Sequence, residues 1–352
     1  MTPLIRPTGF IDSPFGHDGK VARLAGGLNW FASAELIHDD GARELVPVEG
    51  IEARFDEGMA ADWARIIAAR PPLTLGSRTI RLDQPQVMGI INATPDSFSD
   101  GGAYADARAA AEAGAVMAAA GAAIIDVGGE STRPGAKPVW EGDEVERTLP
   151  IVQQLAAGGT AVSIDTRKAT VIEAALGAGA GLVNDVSALT FDERAAEVIA
   201  AARVPVVLMH HQGDPQEMQD NPRYGDVLVE VYRWLEQRIA AAEAAGIARA
   251  NILVDPGIGF GKTVAHNLEL LNGLALFHGL GCPIVIGASR KRMIGALSNE
   301  APADQRLAGS LALALKGAEQ GAQIIRVHDV PETIQALKVW RGLRDQALTP
   351  RV

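Results

Sequence analysis

Residues 123–130 read Ala123-Ile124-Ile125-Asp126-Val127-Gly128-Gly129-Glu130, an apolar run carrying one acid, followed by two glycines and a second acid. A nearly continuous apolar run without polar alternation is the pattern of a parallel strand covered on both faces. The residues before it, Ala105–Ala120, are alanine-rich and read as a helix.

The same unit recurs eight times. Apolar runs lie at Val87–Ile91, Ala123–Val127, Ala161–Ile164, Leu182–Val183, Pro205–Met209, Ile252–Val254, Pro283–Ile286 and Gln323–Val327. Helical stretches such as Ala169–Ala178, Val227–Ala245 and Leu307–Glu319 separate them. Eight units in roughly 260 residues match the size of an α/β fold of the (β/α)8 TIM barrel type. A doubly wound open sheet, the alternative, seldom holds as many. The barrel is assigned to residues 87–346.

Residues 1–86 read differently. They hold six of the sixteen aromatics (Phe10, Phe15, Trp30, Phe31, Phe55, Trp63), alternate over Glu44–Val48, and carry a helical stretch at Met59–Ala69. Gly26-Gly27 and Asp39-Asp40-Gly41 read as turns. The expectation is an ordered N-terminal extension, small and β-rich, of unknown role.

Composition narrows the class. The 352 residues are 47% hydrophobic and 21% charged, enough to bury a core, and the net charge is −11. No basic surplus marks a nucleic-acid partner. The longest uncharged apolar stretch, Ala113–Ile125, is shorter than the roughly 18 residues of a membrane span. Cys282 is the single cysteine, which excludes an internal disulfide framework and any CxxC metal or redox site. A cytoplasmic protein is expected, since the N-terminus shows no cleavable apolar leader.

Chemically capable side chains sit where the runs end: Asn92, then Asp126 and Glu130, Asp165, Asn184 and Asp185, His210, Asp255, Ser289 and Lys291, and finally Arg326 and His328. A (β/α)8 barrel assembles its site at that C-terminal rim. Arg133, in the Gly/Pro-framed stretch after run two, suits phosphate because a guanidinium donates two parallel hydrogen bonds. Arg326 and His328 alternate on one strand and point to one side. Closure of the barrel would bring them beside Asn92, making a credible diphosphate and metal site. Mg2+ takes one or two protein oxygens plus phosphate oxygens.

Asp165, Asn184 and Asp255 carry carboxylate and amide groups into an apolar interior, where a flat heterocycle bearing an amino group and ring N–H groups would satisfy them. The segment Asp255-Pro256-Gly257-Ile258-Gly259-Phe260-Gly261-Lys262-Thr263 is not a P-loop, because Pro256 stands where the first glycine is required. Its glycines are expected to let backbone approach a ligand closely. Adjacent His210 and His211 face opposite ways on a strand and do not form a shared metal site.

Taken in order, the Met88–Gly102 stretch, Gly129-Glu130-Ser131-Thr132-Arg133-Pro134-Gly135, Ser163-Ile164-Asp165-Thr166, Asn184-Asp185-Val186-Ser187, Leu208-Met209-His210, Asp255–Lys262, Ser289-Arg290-Lys291 and Arg326-Val327-His328-Asp329-Val330 resemble the dihydropteroate synthase family, pterin-binding barrels of folate biosynthesis. The resemblance covers about Val87 to Leu343. It implies condensation of 6-hydroxymethyl-7,8-dihydropterin diphosphate with 4-aminobenzoate, releasing diphosphate. It implies that Asp165, Asn184, Asp255 and Lys291 hold the pterin, and that Met209 and Ser289 also bind substrate. Asn92, Arg133, Arg326 and His328 would hold the diphosphate, with Mg2+ at Asn92. Thr132, Pro134, Phe98, Phe260 and Lys291 would shape the aminobenzoate pocket. The catalytic set so implied is Asn92, Asp165, Arg133, Lys291, Arg326 and His328, working by dissociative substitution without a protein nucleophile. The family also implies a homodimer through barrel helices.

Two other readings compete. A pterin-binding corrinoid methyltransferase would share the Asp/Asn contacts but has no use for Arg133 with Arg326 and His328. An inactive paralogue would serve as a binding subunit. Arg326→Ala is expected to cripple turnover with little loss of stability, as for any rim side chain.

Overall fold

The computed structural model describes residues 2–93, 103–131, 138–213, 218 and 221–349. The extension opens with strands β1 (Leu4–Ile11), β2 (Ala22–Arg23), β3 (Trp30–Ile37) and β4 (Arg43–Pro47). All pair antiparallel, with β3 between β1 on one side and β2 and β4 on the other. Helix α1 (Glu57–Ile67) starts at Asp56, whose carboxylate accepts from the Met59 N–H at 2.8 Å. That is the usual solution for an unsatisfied first-turn donor. Its buried face carries Met59, Trp63 and Ile66 onto Ile5, Phe31 and Leu36 of the sheet. Phe31 and Trp63 meet edge to face, centroids 5.6 Å apart. The expected β-rich extension is therefore present, with its own core.

A short hairpin follows, β5 (Leu73–Leu75) and β6 (Arg78–Ile80). Then come the barrel units: β7 (Gln86–Asn92) with α2 (Ala103–Ala120), β8 (Ile124–Gly128) with α3 (Glu141–Ala157), β9 (Val162–Asp165) with α4 (Ala169–Gly177), and β10 (Leu182–Asp185) with α5 (Ala195–Ala202). The second half has β11 (Val206–Met209) with α6 (Val227–Ala244), β12 (Ile252–Asp255) with α7 (Val264–Asn272), β13 (Val285–Ile286) with α8 (Arg292–Leu297) and α9 (Leu307–Glu319), and β14 (Ile324–Val327) with α10 (Val330–Ala347). The eight strands are parallel in the order β12-β11-β10-β9-β8-β7-β14-β13. A parallel bridge between Val254 and Ile284 joins the two ends of that order. The fold is a (β/α)8 TIM barrel, and β14 does pair with β7.

Side chains alternate along a strand, so each strand feeds two cores. Outward positions such as Ile125, Val127, Ile164, Val183, Leu208, Val254 and Ile325 pack under the helices. Inward positions Met88, Ile124, Ala161, Leu182, Val207, Leu253, Val285 and Ile324 fill the floor of the barrel. Leu73, Leu75, Ile80 and Leu82 pack into this same floor cluster. The β5–β6 hairpin, grouped with the extension in the sequence reading, thus stoppers the N-terminal mouth.

The extension is held to the barrel by arginines donating to backbone. Arg65 Nε reaches the Gly279 carbonyl at 2.7 Å, and Arg70 Nη2 reaches that of His278 at 3.0 Å. From the barrel side, Arg344 bonds the carbonyls of Leu28 and Ile11 and the carboxylate of Asp12. No described helix is long and apolar enough to cross a membrane.

Candidate active site

The period of two that builds the floor also builds the mouth. Two residues beyond the floor positions Ile124, Leu182, Leu253, Val207 and Ile324 stand Asp126, Asn184, Asp255, Met209 and Arg326. Four residues beyond Met88, Ala161 and Ile324 stand Asn92, Asp165 and His328. Inward positions therefore change from aliphatic at the bottom to polar at the C-terminal rim, Met209 excepted, as the strand ends predicted.

Arg326 is the hub of this rim. Its Nε donates to Asp126 Oδ2 at 2.6 Å and its Nη2 to Asp165 Oδ2 at 2.6 Å. Asp126 Oδ2 also accepts from Asn184 Nδ2 at 3.0 Å, while Asp126 Oδ1 is buried with no partner among the described residues. Burial would lower the arginine's pKa, yet Asp126, Asp165 and Asp255 together hold it above its ordinary value. Burial pushes the Asp165 carboxyl up to about 7, with Arg326 opposing and Asp126 reinforcing. Asp255 is likewise raised by burial, against a 2.7 Å hydrogen bond from the Gly257 N–H and the charges of Lys291 and Arg326. The mouth is an acidic pocket bridged by one guanidinium.

This geometry changes two expectations. Arg326 was grouped with the diphosphate residues, yet it lies between the carboxylates expected to hold the heterocycle, so the two regions share a member. It is also no loosely attached rim residue. Its removal leaves the fully buried Asp126 without its cation, so Arg326→Ala is expected to cost stability.

His328 turns to Ser289, its Nδ1 3.1 Å from the serine Oγ, which also accepts from the His328 backbone N–H at 3.2 Å. The Lys291 Nζ sits 4.0 Å above the Phe260 ring, a cation–π contact. Asn92 is half-buried at the end of β7. Phe98, Thr132, Arg133 and Pro134 lie outside the described residues.

Other strand-end groups serve the scaffold. Asp185 accepts from the Ser187 N–H and hydroxyl and from the Leu189 N–H, shaping the turn after β10. Glu130 accepts from the Val139 N–H at 3.0 Å and pairs with Arg167 and Lys168. His210 is buried against Lys262, whose Nζ lies 2.8 Å from its Nδ1. Burial drops that imidazole to about 2, so it is neutral, and lowers the Lys262 ammonium to about 7. The glycines of the 257–261 segment pack against protein. A Cβ on Gly257 would fall 1.8 Å from the His210 carbonyl oxygen, and one on Gly261 would fall 2.3 Å from that of Gln212.

Asp126 is the residue that rim counting undervalued. Its signal was present: an acid inside an otherwise apolar run, at an inward position, needs a buried cationic partner.

Among described residues, no group of three or more His, Cys, Asp or Glu could hold a metal. Asn92 ends the strand next to that of Arg326, and its amide oxygen would be the protein ligand if Mg2+ binds there. A single protein oxygen fits Mg2+ when phosphate oxygens and water complete its shell.

Residues 88–328 match the family described as pterin binding enzyme. A dihydropteroate synthase of Escherichia coli K12 is 48% identical over 262 residues, covering 74% of this chain and 92% of that protein. The chain belongs to the dihydropteroate synthase family. Among solved members, the dihydropteroate synthase of Xanthomonas albilineans with 4-aminobenzoic acid is 47% identical. It superposes with a TM-score of 0.75, covering 80% of this chain and all of that one. The Xanthomonas albilineans enzyme in complex with 7,8-dihydropteroate is 44% identical, with a TM-score of 0.71 over 79% of this chain and all of that one. The two solved Xanthomonas albilineans chains are thus matched in full while about a fifth of this chain lies beyond them.

Proposed function

We propose that the chain condenses 6-hydroxymethyl-7,8-dihydropterin diphosphate with 4-aminobenzoate, yielding 7,8-dihydropteroate and diphosphate. The observation that carries the reading is the family match over residues 88–328, with one solved relative holding 4-aminobenzoic acid and another 7,8-dihydropteroate. The Asp126–Arg326–Asp165 bridge beside Asn184 and Asp255 supports it, since largely buried acceptors suit a heterocycle rich in N–H donors.

In this reading Asp165, Asn184 and Asp255 accept from the pterin, Met209 and Ser289 line it, and Lys291 closes it from the β13 side. Asn92, Arg133, Arg326 and His328 take the diphosphate. Phe98, Thr132, Pro134 and Phe260 shape the arylamine pocket with Lys291. Mg2+, held by Asn92 and the substrate, supplies charge neutralisation for the leaving group when bound. The bond between the methylene carbon and the diphosphate oxygen breaks first. Positive charge spreads into the pterin, and the carboxylates of Asp165 and Asp255 stabilise it. The amine nitrogen then attacks the carbon through its lone pair, and its proton passes to the released diphosphate or to water. No protein nucleophile is required.

The protein is further proposed to be a cytoplasmic homodimer that meets through barrel helices. Val339 and Leu343, one turn apart on α10 and 62% and 67% exposed, are apolar positions that such contact would cover. Sedimentation of the purified chain tests this.

The activity test is product identification: purified chain with both substrates and Mg2+ should give one dihydropteroate per diphosphate. Methyl transfer from methyltetrahydrofolate to a corrinoid, without diphosphate release, would instead establish the methyltransferase reading.

A further inference from the structure

Lys262 is 3% exposed, yet it lies one loop away from the mouth. Its Nζ is 2.8 Å from His210 Nδ1 and donates to the carbonyls of Gly257 and Phe260, each at 3.0 Å. An ammonium has three N–H donors, and here three close acceptors meet them. His210 is itself fixed: its backbone N–H donates to the Asp255 carbonyl at 2.9 Å, and its ring packs edge-on to Trp234 at 4.8 Å. The rest of the segment is braced as well. The Gly259 N–H donates to Asn267 Oδ1 at 2.7 Å, and the Tyr224 hydroxyl donates to the Gly261 carbonyl at 2.9 Å. Gly257 and Gly261 leave no room for a Cβ against the neighbouring turn.

What this bracing holds in place is Phe260. Its carbonyl is gripped by Lys262 while its ring lies 4.0 Å beneath the Lys291 Nζ. We propose that Lys262 is a positioning residue, whose grip on the Gly257 and Phe260 carbonyls against His210 fixes the Phe260 ring under Lys291 and thereby sets the wall of the arylamine pocket. The inference rests on the reading that Phe260 lines that pocket. Lys262 acts through Phe260 and not on the substrate, because its donors are taken by protein acceptors.

The consequence is selective. Displacing one ring by a fraction of an ångström penalises the substrate that leans on it, and misplacement of about 1 Å can cost up to about 100-fold. Lys262→Met keeps the aliphatic stem and removes the grip. The expected result is a KM for 4-aminobenzoate raised on the order of 10-fold, with the KM for the pterin diphosphate within about twofold of wild type. A double-mutant cycle isolates the route. In a Phe260→Ala background, Lys262→Met should add less than about twofold to the arylamine KM.

If Phe260→Ala raises that KM and Lys262→Met does not, or if the two effects multiply independently, the positioning role is overturned while the pocket reading stands. If Phe260→Ala leaves it unchanged, the pocket reading fails and the role falls with it. Should Lys262→Met not fold, His210→Phe keeps a ring against Trp234 and removes one acceptor. It should show the same selective KM change, smaller in size, and an equal rise in both KM values would overturn the role.

Discussion

Arg326 and Asp126 lie on strands that do not touch, since β7 runs between β14 and β8, and the guanidinium crosses the mouth to bond the carboxylate at 2.6 Å. The same Asp126 oxygen receives the Asn184 amide, which directs the Asn184 carbonyl oxygen away from that carboxylate. One buried acid therefore orients two groups that the proposed reaction assigns to the substrate.

Asp126→Asn should retain the shape and lose the charge. With that negative neighbour gone, Asp165 loses a charge that raises its pKa while Arg326 still lowers it, so the Asp165 pKa falls below about 7. Pterin affinity measured against pH should show its midpoint shifted to the acid side. Asp126→Ala should also cost about 1.5–3 kcal/mol of stability, the usual loss for a hydrogen bond to a charged group.

Asp165 carries a pH signature of its own. Burial raises its folded pKa to about 7 from 3.8. The protonated form is thus favoured in the fold, and its stabilising contribution is complete below 3.8 and lost as pH rises through 7. Chemical denaturation of ligand-free protein should show wild type losing stability across that window relative to Asp165→Asn. Parallel curves for the two proteins would contradict the assignment.

Gly257 has φ +69°, in the left-handed region, and faces the His210 carbonyl oxygen. Gly257→Ala should cost more than the roughly 1–2 kcal/mol of a left-handed L-residue, because the turn must also move apart. Thermal melting measures the loss, and a Tm equal to wild type would show that the close approach is not needed.

Trp63 belongs to the core of the extension, far from the mouth in the chain and in a separate apolar cluster. Trp63→Ala should lower stability by about 3–5 kcal/mol. Below its melting transition, kcat/KM should remain within about twofold of wild type. A large change in kcat/KM would give the extension a part in turnover.

The barrel was legible because strands covered on both faces must be apolar throughout, and its helices were legible from composition and spacing. Strand β1 was less so, since Pro7 and Gly9 interrupt its alternation. At the rim, residue type located the ring but not each side chain's direction. Asp165 and Asp185 both end barrel strands. Asp185 is consumed by the hydroxyl and N–H of Ser187, whereas Asp165 faces Arg326. The glycines of 257–261 posed the same difficulty: close approach was foreseeable, but its object, the turn after β11, depends on tertiary packing. Asp126 was visible as an acid in an apolar run, but its partner lies 200 residues away.

The central claim is that the polar ring at the mouth performs a diphosphate-releasing condensation. Steady-state diphosphate release by the purified full chain, supplied with the pterin diphosphate, Mg2+ and 4-aminobenzoate, tests it most directly. The expected result is sustained release that requires the arylamine and drops by about 100-fold or more in Lys291→Ala, with an unchanged Tm. No sustained release by the wild-type chain, or release that Lys291→Ala leaves intact, would contradict it.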